Sequence, residues 1–101
     1  HLKNKMKKKI NNLKDVRHAI DAIDNKIFPL MIKRSQLVNN ALELKSLKSQ
    51  IRDPKRIKQI LDKIEKKSAQ YDVNKKLLRL IWKSMIECYI EHENKEFKKR
   101  K

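Results

Sequence analysis

The chain has 101 residues, no glycine, a single cysteine (Cys88) and a formal net charge of +16. This length allows one domain with a small core, and the absence of glycine argues against folds with many tight turns. Because no apolar run approaches the roughly 20 residues of a membrane-spanning helix and one cysteine cannot form an internal disulfide, we expect a soluble, cytoplasmic, all-α protein.

The N-terminal segment differs in composition from the rest of the chain. We interpret residues 1–9 as a basic arm and residues 10–101 as one helical domain. The arm lacks the apolar core of a secretory signal. We interpret its first five residues as partly a cloning remnant, since Met6 is a candidate initiator methionine. Most of the net charge comes from 22 lysines spread along the chain, a pattern typical of a solvated surface.

The first predicted helix runs from Leu13 to about Lys48, where apolar residues recur at steps of three and four. The stripe that they form comprises Val16, Ile20, Ile23, Ile27, Leu30, Met31, Leu37, Val38, Ala41 and Leu44. Pro29 lies within this pattern, and a proline inside a helix removes one hydrogen bond and favours a kink. We predict one long helix, with Pro29 as the place for any bend.

The remaining sequence predicts a connection over residues 46–53 and two further helices. Asp53 and Pro54 are typical of an N-cap followed by the first helical residue, and the second helix continues to about Gln70. Residues 71–74 form the next break, with Asn74 as the candidate cap of a third helix that leads into the basic tail FKKRK. The predicted order is a long, a medium and a long helix.

Three cations interrupt or border the apolar stripe of the first helix. Arg34 lies between Met31 and Val38, Lys45 falls about 20° away around the helix, and Arg17 borders the start of the stripe. No acidic residue of the first helix shares that face, and buried cations need partners. The pattern alone leaves two interpretations open. These three side chains either reach past the core to solvent or bind an anion.

The spacing of two of these arginines bears on assembly. Arg17 and Arg34 are 17 residues apart, or about 25 Å on a straight helix. No small metabolite spans that distance, so one small ligand can contact both only if a second chain supplies one of them, in a symmetric dimer.

Other chemistries lack the residues that they require. The histidines and Cys88 do not have metal-ligand spacing, and a chain without glycine has no phosphate-binding loop. Five aromatic residues supply few platforms for stacking nucleic-acid bases. We therefore expect neither a metal nor a cofactor, and nucleic acid is a weak candidate partner.

The three cations are part of a set of sequence motifs with fixed spacing. An arginine precedes the run IDAID, a second arginine follows 17 residues later and a lysine 11 residues further on. These residues are Arg17, Arg34 and Lys45, and the sequence DPKR occupies residues 53–56. From about residue 13 to residue 97 the chain resembles the all-helical chorismate mutases and, equally, their relative, the isochorismate-pyruvate lyase.

The resemblance implies an assembly and a substrate class. It implies a homodimer of three-helix chains with intertwined first helices, in which Arg17 of one chain completes the site of its partner. Arg17, Arg34 and Arg56 would hold the two carboxylates of a dianionic substrate, either chorismate or isochorismate.

The resemblance also implies catalytic roles. Lys45 and Glu93 would act on the ether oxygen of the breaking C–O bond, and Asp53 would lie near the ring hydroxyl. Arg34 would be catalytic as well as substrate-binding. Both candidate reactions are pericyclic, so the protein must restrict the substrate's conformation and stabilise charge on that oxygen, without metal or cofactor. Glu93 would donate a hydrogen bond to the oxygen in its protonated form.

Several substrate-facing positions depart from the mutase pattern. Ile57 replaces an acid that mutases commonly carry, and Tyr89 stands where a small hydroxyl residue is frequent. Ala41, Ile57 and the Tyr89–Ile90 pair resemble the lyase more, whereas Asp53 favours the mutase. We predict a chorismate mutase because this is the commoner activity, with the lyase, which gives salicylate and pyruvate, as the alternative. A basic helical nucleic-acid binder is a lesser alternative.

Overall fold

The computed structural model describes residues 9–100, which form three α-helices and one turn of 3-10 helix. The elements are α1 (Leu13–Glu43), a 3-10 turn (Lys48–Gln50), α2 (Pro54–Ser68) and α3 (Lys75–Lys98). No strand occurs in this range, which confirms the all-α class and the long, medium, long order. The helices of the described range are all too short or too polar to cross a membrane. Apart from Lys9, the predicted basic arm lies outside the described residues.

Each α-helix begins at a side-chain cap. Asn12 Oδ1 accepts a hydrogen bond of 2.9 Å from the backbone N–H three residues on, and Asp53 Oδ1 accepts the equivalent bond at 3.1 Å. Asn74 Oδ1 accepts from the N–H groups two and three residues on, at 2.9 and 3.3 Å. Such caps satisfy backbone donors that have no partner within the helix, which confirms the predicted helix starts.

The end of α1 differs from the prediction, because the helix stops at Glu43 and not near Lys48. The N–H of Lys45 bonds only three residues back, at 3.0 Å, as the chain turns away from the helix axis. The next two N–H groups, of residues 46 and 47, both donate to Gln50 Oε1 at 2.8 Å. The Gln50 side chain thus takes donors that a longer helix would have used, and Lys45 lies on a turn rather than on the helix.

The core is small and lies at one end of the molecule. It consists of five buried apolar side chains: Leu42, Ile51, Leu61, Ile86 and Ile90. They come from the end of α1, the connection, α2 and α3, and α3 packs more extensively on α2 than on α1. Burial of one such side chain contributes about 1.5–3 kcal/mol, so this core is a modest source of stability.

Much of the apolar stripe predicted on α1 is exposed in the single chain. The helix runs without interruption through Pro29. Five side chains of the stripe keep 46–67% of their surface accessible: Ile20, Ile23, Ile27, Leu30 and Leu37. Monomeric soluble proteins rarely expose a contiguous apolar surface of this extent. We refer to these five residues as the α1 apolar face.

Candidate active site

A pocket of about 490 Å³ lies where the C-terminal part of α1 faces α2 and α3. Small-molecule sites are typically concave and occupy roughly 300–1,000 Å³, so this volume suits a metabolite. Isoleucine, leucine and valine side chains form much of its wall. The charged side chains in the lining are Arg34, Lys45, Asp53, Arg56 and Glu93.

Nine of the ten residues predicted for the site line this pocket. They are Arg34 and Ala41 from α1, Lys45 from the turn, Asp53, Arg56 and Ile57 from the start of α2, and Tyr89, Ile90 and Glu93 from α3. Arg17 does not line it, because α1 places Arg17 17 residues before Arg34 on one continuous helix. Within a single chain, the structure brings the predicted site together except for Arg17.

The pocket contains an ion pair between the turn and α3. Lys45 Nζ donates to Glu93 Oε2 at 2.8 Å, and the two side chains are 24% and 7% exposed. The pattern of α1 offered no acidic partner for Lys45, and α3 supplies one. A charge-assisted hydrogen bond in a shielded position holds both groups in one geometry. Glu93 is therefore a shielded partner of Lys45 and not a solvated surface residue.

Arg34 has an aromatic partner. Its guanidinium carbon lies 4.9 Å from the centroid of the Tyr89 ring, and both residues are half-buried. A guanidinium over an aromatic face is attracted by the ring quadrupole and keeps its edge N–H groups available as donors. Tyr89 therefore provides a surface that holds Arg34 while leaving its hydrogen-bonding edge free for an anion.

The Tyr89 hydroxyl forms a hydrogen bond with a side chain of α1. Its oxygen lies 2.7 Å from Ser35 Oγ, and Ser35 Oγ donates to the carbonyl of Met31 at 2.8 Å. Because a serine hydroxyl carries one proton, Tyr89 is the donor in the first of these bonds. The phenol can accept a hydrogen bond from a ligand but, in this arrangement, cannot donate one.

The start of α2 is fixed by its cap and by a surface ion pair. Asp53, which lines the pocket, caps the N–H of Arg56 through Oδ1, and its Oδ2 takes no part in that bond. Next to it, Arg52 donates to both carboxylate oxygens of Glu87 on α3, at 3.0 and 2.6 Å. The hydrogen bond from Arg52 lowers the pKa of Glu87, and the same bond raises the pKa of Arg52. This bidentate contact connects the start of α2 to α3.

Two polar residues that hold site residues in place were not predicted from the sequence. Gln50 lines the pocket and caps the turn that carries Lys45, and Ser35 anchors Tyr89. A glutamine three to four residues after free N–H groups is a local signal that could have been used for Gln50. Ser35 gives no such signal, because its partner lies 54 residues away.

The comparisons with known proteins identify one family. Residues 16–94 match the family described as chorismate mutase type II. A chorismate mutase of Methanocaldococcus jannaschii is 37% identical over 79 residues, which cover 77% of this chain and 80% of that protein. No solved structure matches the chain at a comparable level of significance.

Proposed function

This chain belongs to the chorismate mutase type II family, and we propose that it rearranges chorismate to prephenate in the pocket between α1, α2 and α3. The observation that carries the proposal is the convergence of Arg34, Arg56 and the shielded Lys45–Glu93 pair on one pocket of metabolite size. Chorismate is a dianion, and its rearrangement requires neither a nucleophile nor an obligatory acid or base. A cation-lined apolar pocket suits such a substrate.

Arg34 and Arg56 bind the substrate carboxylates. A guanidinium presents parallel N–H groups that match the two oxygens of a carboxylate, and this geometry is one that lysine cannot reproduce. Arg34 is held in place by the ring of Tyr89. Arg56 is in the first turn of α2 and is exposed, so its side chain can close over a bound ligand.

The pocket accelerates the reaction first by restricting the substrate. The enolpyruvyl arm must fold over the ring before the bonds can rearrange, and holding that conformer contributes several kcal/mol to the lowering of the barrier. Ile57, Ile86 and Ile90 offer apolar surfaces against which the ring and arm can pack. Ala41 leaves room that a larger side chain would occupy.

Lys45 then stabilises the transition state. Negative charge builds on the ether oxygen as the C–O bond breaks, and a preorganised donor at that position is worth about 10²–10³ in kcat. An ammonium group has three N–H donors, so Lys45 can keep its bond to Glu93 and still donate to the ether oxygen. Glu93 orients Lys45 through this ion pair. Asp53 lines the pocket and is the candidate hydrogen-bond partner of the substrate's ring hydroxyl.

The working protein is a homodimer in which Arg17 is supplied by the partner chain. Two observations support this part of the proposal. The α1 apolar face is exposed in the single chain, and a second copy would cover it. Arg17 is about 25 Å from Arg34 along α1, beyond the reach of one metabolite. The cytoplasmic location stays a prediction from the single cysteine.

The function is tested by incubating the protein with chorismate and with isochorismate separately and identifying the products. We expect prephenate from chorismate, and loss of this activity in Arg34→Met with the helical signal retained. Formation of salicylate and pyruvate from isochorismate, without turnover of chorismate, would overturn the proposal in favour of the lyase. Sedimentation at micromolar concentration should show a dimer, and a folded, active monomer would contradict the shared site.

A further inference from the structure

The basic tail contacts the turn that carries Lys45. Arg100 Nη1 donates to the carbonyl oxygen of Lys45 at 2.6 Å, and Arg100 Nη2 donates to the carbonyl oxygen of Leu42. The guanidinium carbon lies 4.7 Å from the ring centroid of Phe97, which packs against the core. We propose that Arg100 is a positioning residue that fixes the backbone of Lys45 for catalysis, an inference that rests on the proposed function.

The end of α1 needs such a partner. The last four carbonyl groups of an α-helix have no partner within the helix, and they carry partial negative charge. The last turn of α1 contains no basic residue, and the chain has no glycine for a left-handed C-terminal cap. The guanidinium of Arg100 supplies the positive charge that this helix end lacks, and it adds side-chain donors to the carbonyls of Leu42 and Lys45, the first of which otherwise accepts only from backbone N–H groups of the turn.

Arg100 and Glu93 hold Lys45 at two points. Arg100 binds the main-chain carbonyl of Lys45, and Glu93 binds its ammonium group. Arg100 does not line the pocket, so it acts on the reaction only through Lys45. Displacement of a catalytic group by about 1 Å can lower the rate by about 10²-fold. Loss of the main-chain contact alone should therefore reduce turnover.

Arg100 also lies outside the region that matches the family, which ends at residue 94. The feature is therefore carried by the tail of this chain and does not follow from family membership. The tail contains a matched control, because Lys99 is a neighbouring cation whose ammonium pairs with the exposed Glu96 at 3.0 Å.

The test compares Arg100→Ala, Arg100→Lys and Lys99→Ala in the full chain, with chorismate as substrate. We expect kcat to fall by about tenfold or more in Arg100→Ala with a smaller change in KM. Arg100→Lys should be intermediate, because one ammonium can reach a carbonyl but cannot reproduce the planar fork. Lys99→Ala should match the wild type. Equal kcat values in Arg100→Ala and Lys99→Ala would overturn the proposal.

A second comparison separates positioning from a general loss of stability. In a Lys45→Met background, Arg100→Ala should lower kcat no further, because its effect passes through Lys45. Millimolar guanidinium should partly restore kcat in Arg100→Ala and leave Lys99→Ala unchanged. Independent effects of the two substitutions, without rescue, would show that Arg100 only stabilises the fold.

Hydrogen exchange tests the contact without relying on turnover. In ligand-free Arg100→Ala, the amides of residues 44–47 should exchange faster than in the wild type, while those of α2 stay unchanged. Unchanged exchange over residues 44–47 would overturn the proposal even if the wild type rearranges chorismate. If the exchange changes but the wild type does not consume chorismate, the proposed function fails and the structural contact stands.

Discussion

Lys45 and Glu93 are 48 residues apart in the chain, and their side chains form an ion pair of 2.8 Å in which the glutamate is almost fully shielded from solvent. The sequence pattern of α1 offered Lys45 no acidic partner, and the structure supplies that partner from α3. A carboxylate that loses its cation in a shielded position keeps the desolvation penalty without the compensating attraction.

Lys45→Met should therefore reduce both turnover and stability. We expect kcat to fall by about 10²-fold or more, because the proposed donor to the ether oxygen is lost. The free energy of unfolding should fall by about 1–3 kcal/mol, because Glu93 is left buried without its partner. Replacing both residues with methionine should restore stability but not activity. Turnover within about tenfold of the wild type in Lys45→Met, or about 1.4 kcal/mol of barrier, would remove Lys45 from the mechanism.

Tyr89→Phe should have a small effect, because it removes the hydroxyl that donates to Ser35 but keeps the ring under Arg34. The lost hydrogen bond is worth about 0.5–1.5 kcal/mol, so kcat/KM should fall by about tenfold at most. Ser35→Ala should give a similar change, and Tyr89→Leu a larger one, because the ring is lost. A severe loss in Tyr89→Phe with a normal Ser35→Ala variant would mean that the phenol donates directly to the substrate.

Glu93→Gln tests how the side chain of Glu93 takes part. The amide can accept a hydrogen bond from Lys45 through its oxygen and can donate to the ether oxygen through its N–H groups. Glu93→Gln should therefore remain active, whereas Glu93→Ala, which can do neither, should lose activity. Steady-state kcat values with chorismate measure this difference. A loss in Glu93→Gln as severe as that in Glu93→Ala would show that the carboxylate serves only as the ionic partner of Lys45.

The Arg52–Glu87 pair should make stability sensitive to acid. Because the hydrogen bond from Arg52 lowers the pKa of Glu87, the unfolded chain binds this proton more readily than the folded chain. The contribution of Glu87 is therefore present above the ordinary glutamate pKa of about 4.3, and it is lost as the pH falls through the lower folded value. The effect is small because the pair is exposed. Urea midpoints of wild type and Glu87→Gln should differ at neutral pH and converge in acid; a constant difference would contradict this linkage.

The sequence predicted the local features of the fold and most of the site. The caps at Asp53 and Asn74 depend on residues within three positions of one another, so they can be predicted directly from the sequence. The cations of α1 were conspicuous because they broke an apolar pattern, and Arg34 does line the pocket.

The remaining features depend on contacts between distant segments. The early end of α1 is set by the side chain of Gln50, which competes for backbone donors that apolar periodicity does not describe. Lys45 has two distant partners: Glu93 lies 48 residues away in the chain, and Arg100 lies 55 residues away. Periodicity locates the residues that need partners, but only the packing of α3 beside α1 determines which partners they find.

The proposed active site for chorismate combines Arg34 of one chain with Arg17 of its partner. It is tested most directly by mixing Arg17→Ala and Arg34→Ala chains, each inactive alone, and measuring prephenate formation after the subunits exchange. Half of the dimers should be hybrids, and each hybrid should carry one intact site, so activity should recover to about a quarter of the wild-type value. A mixture that stays as inactive as its two parents, with subunit exchange verified, would contradict the shared site.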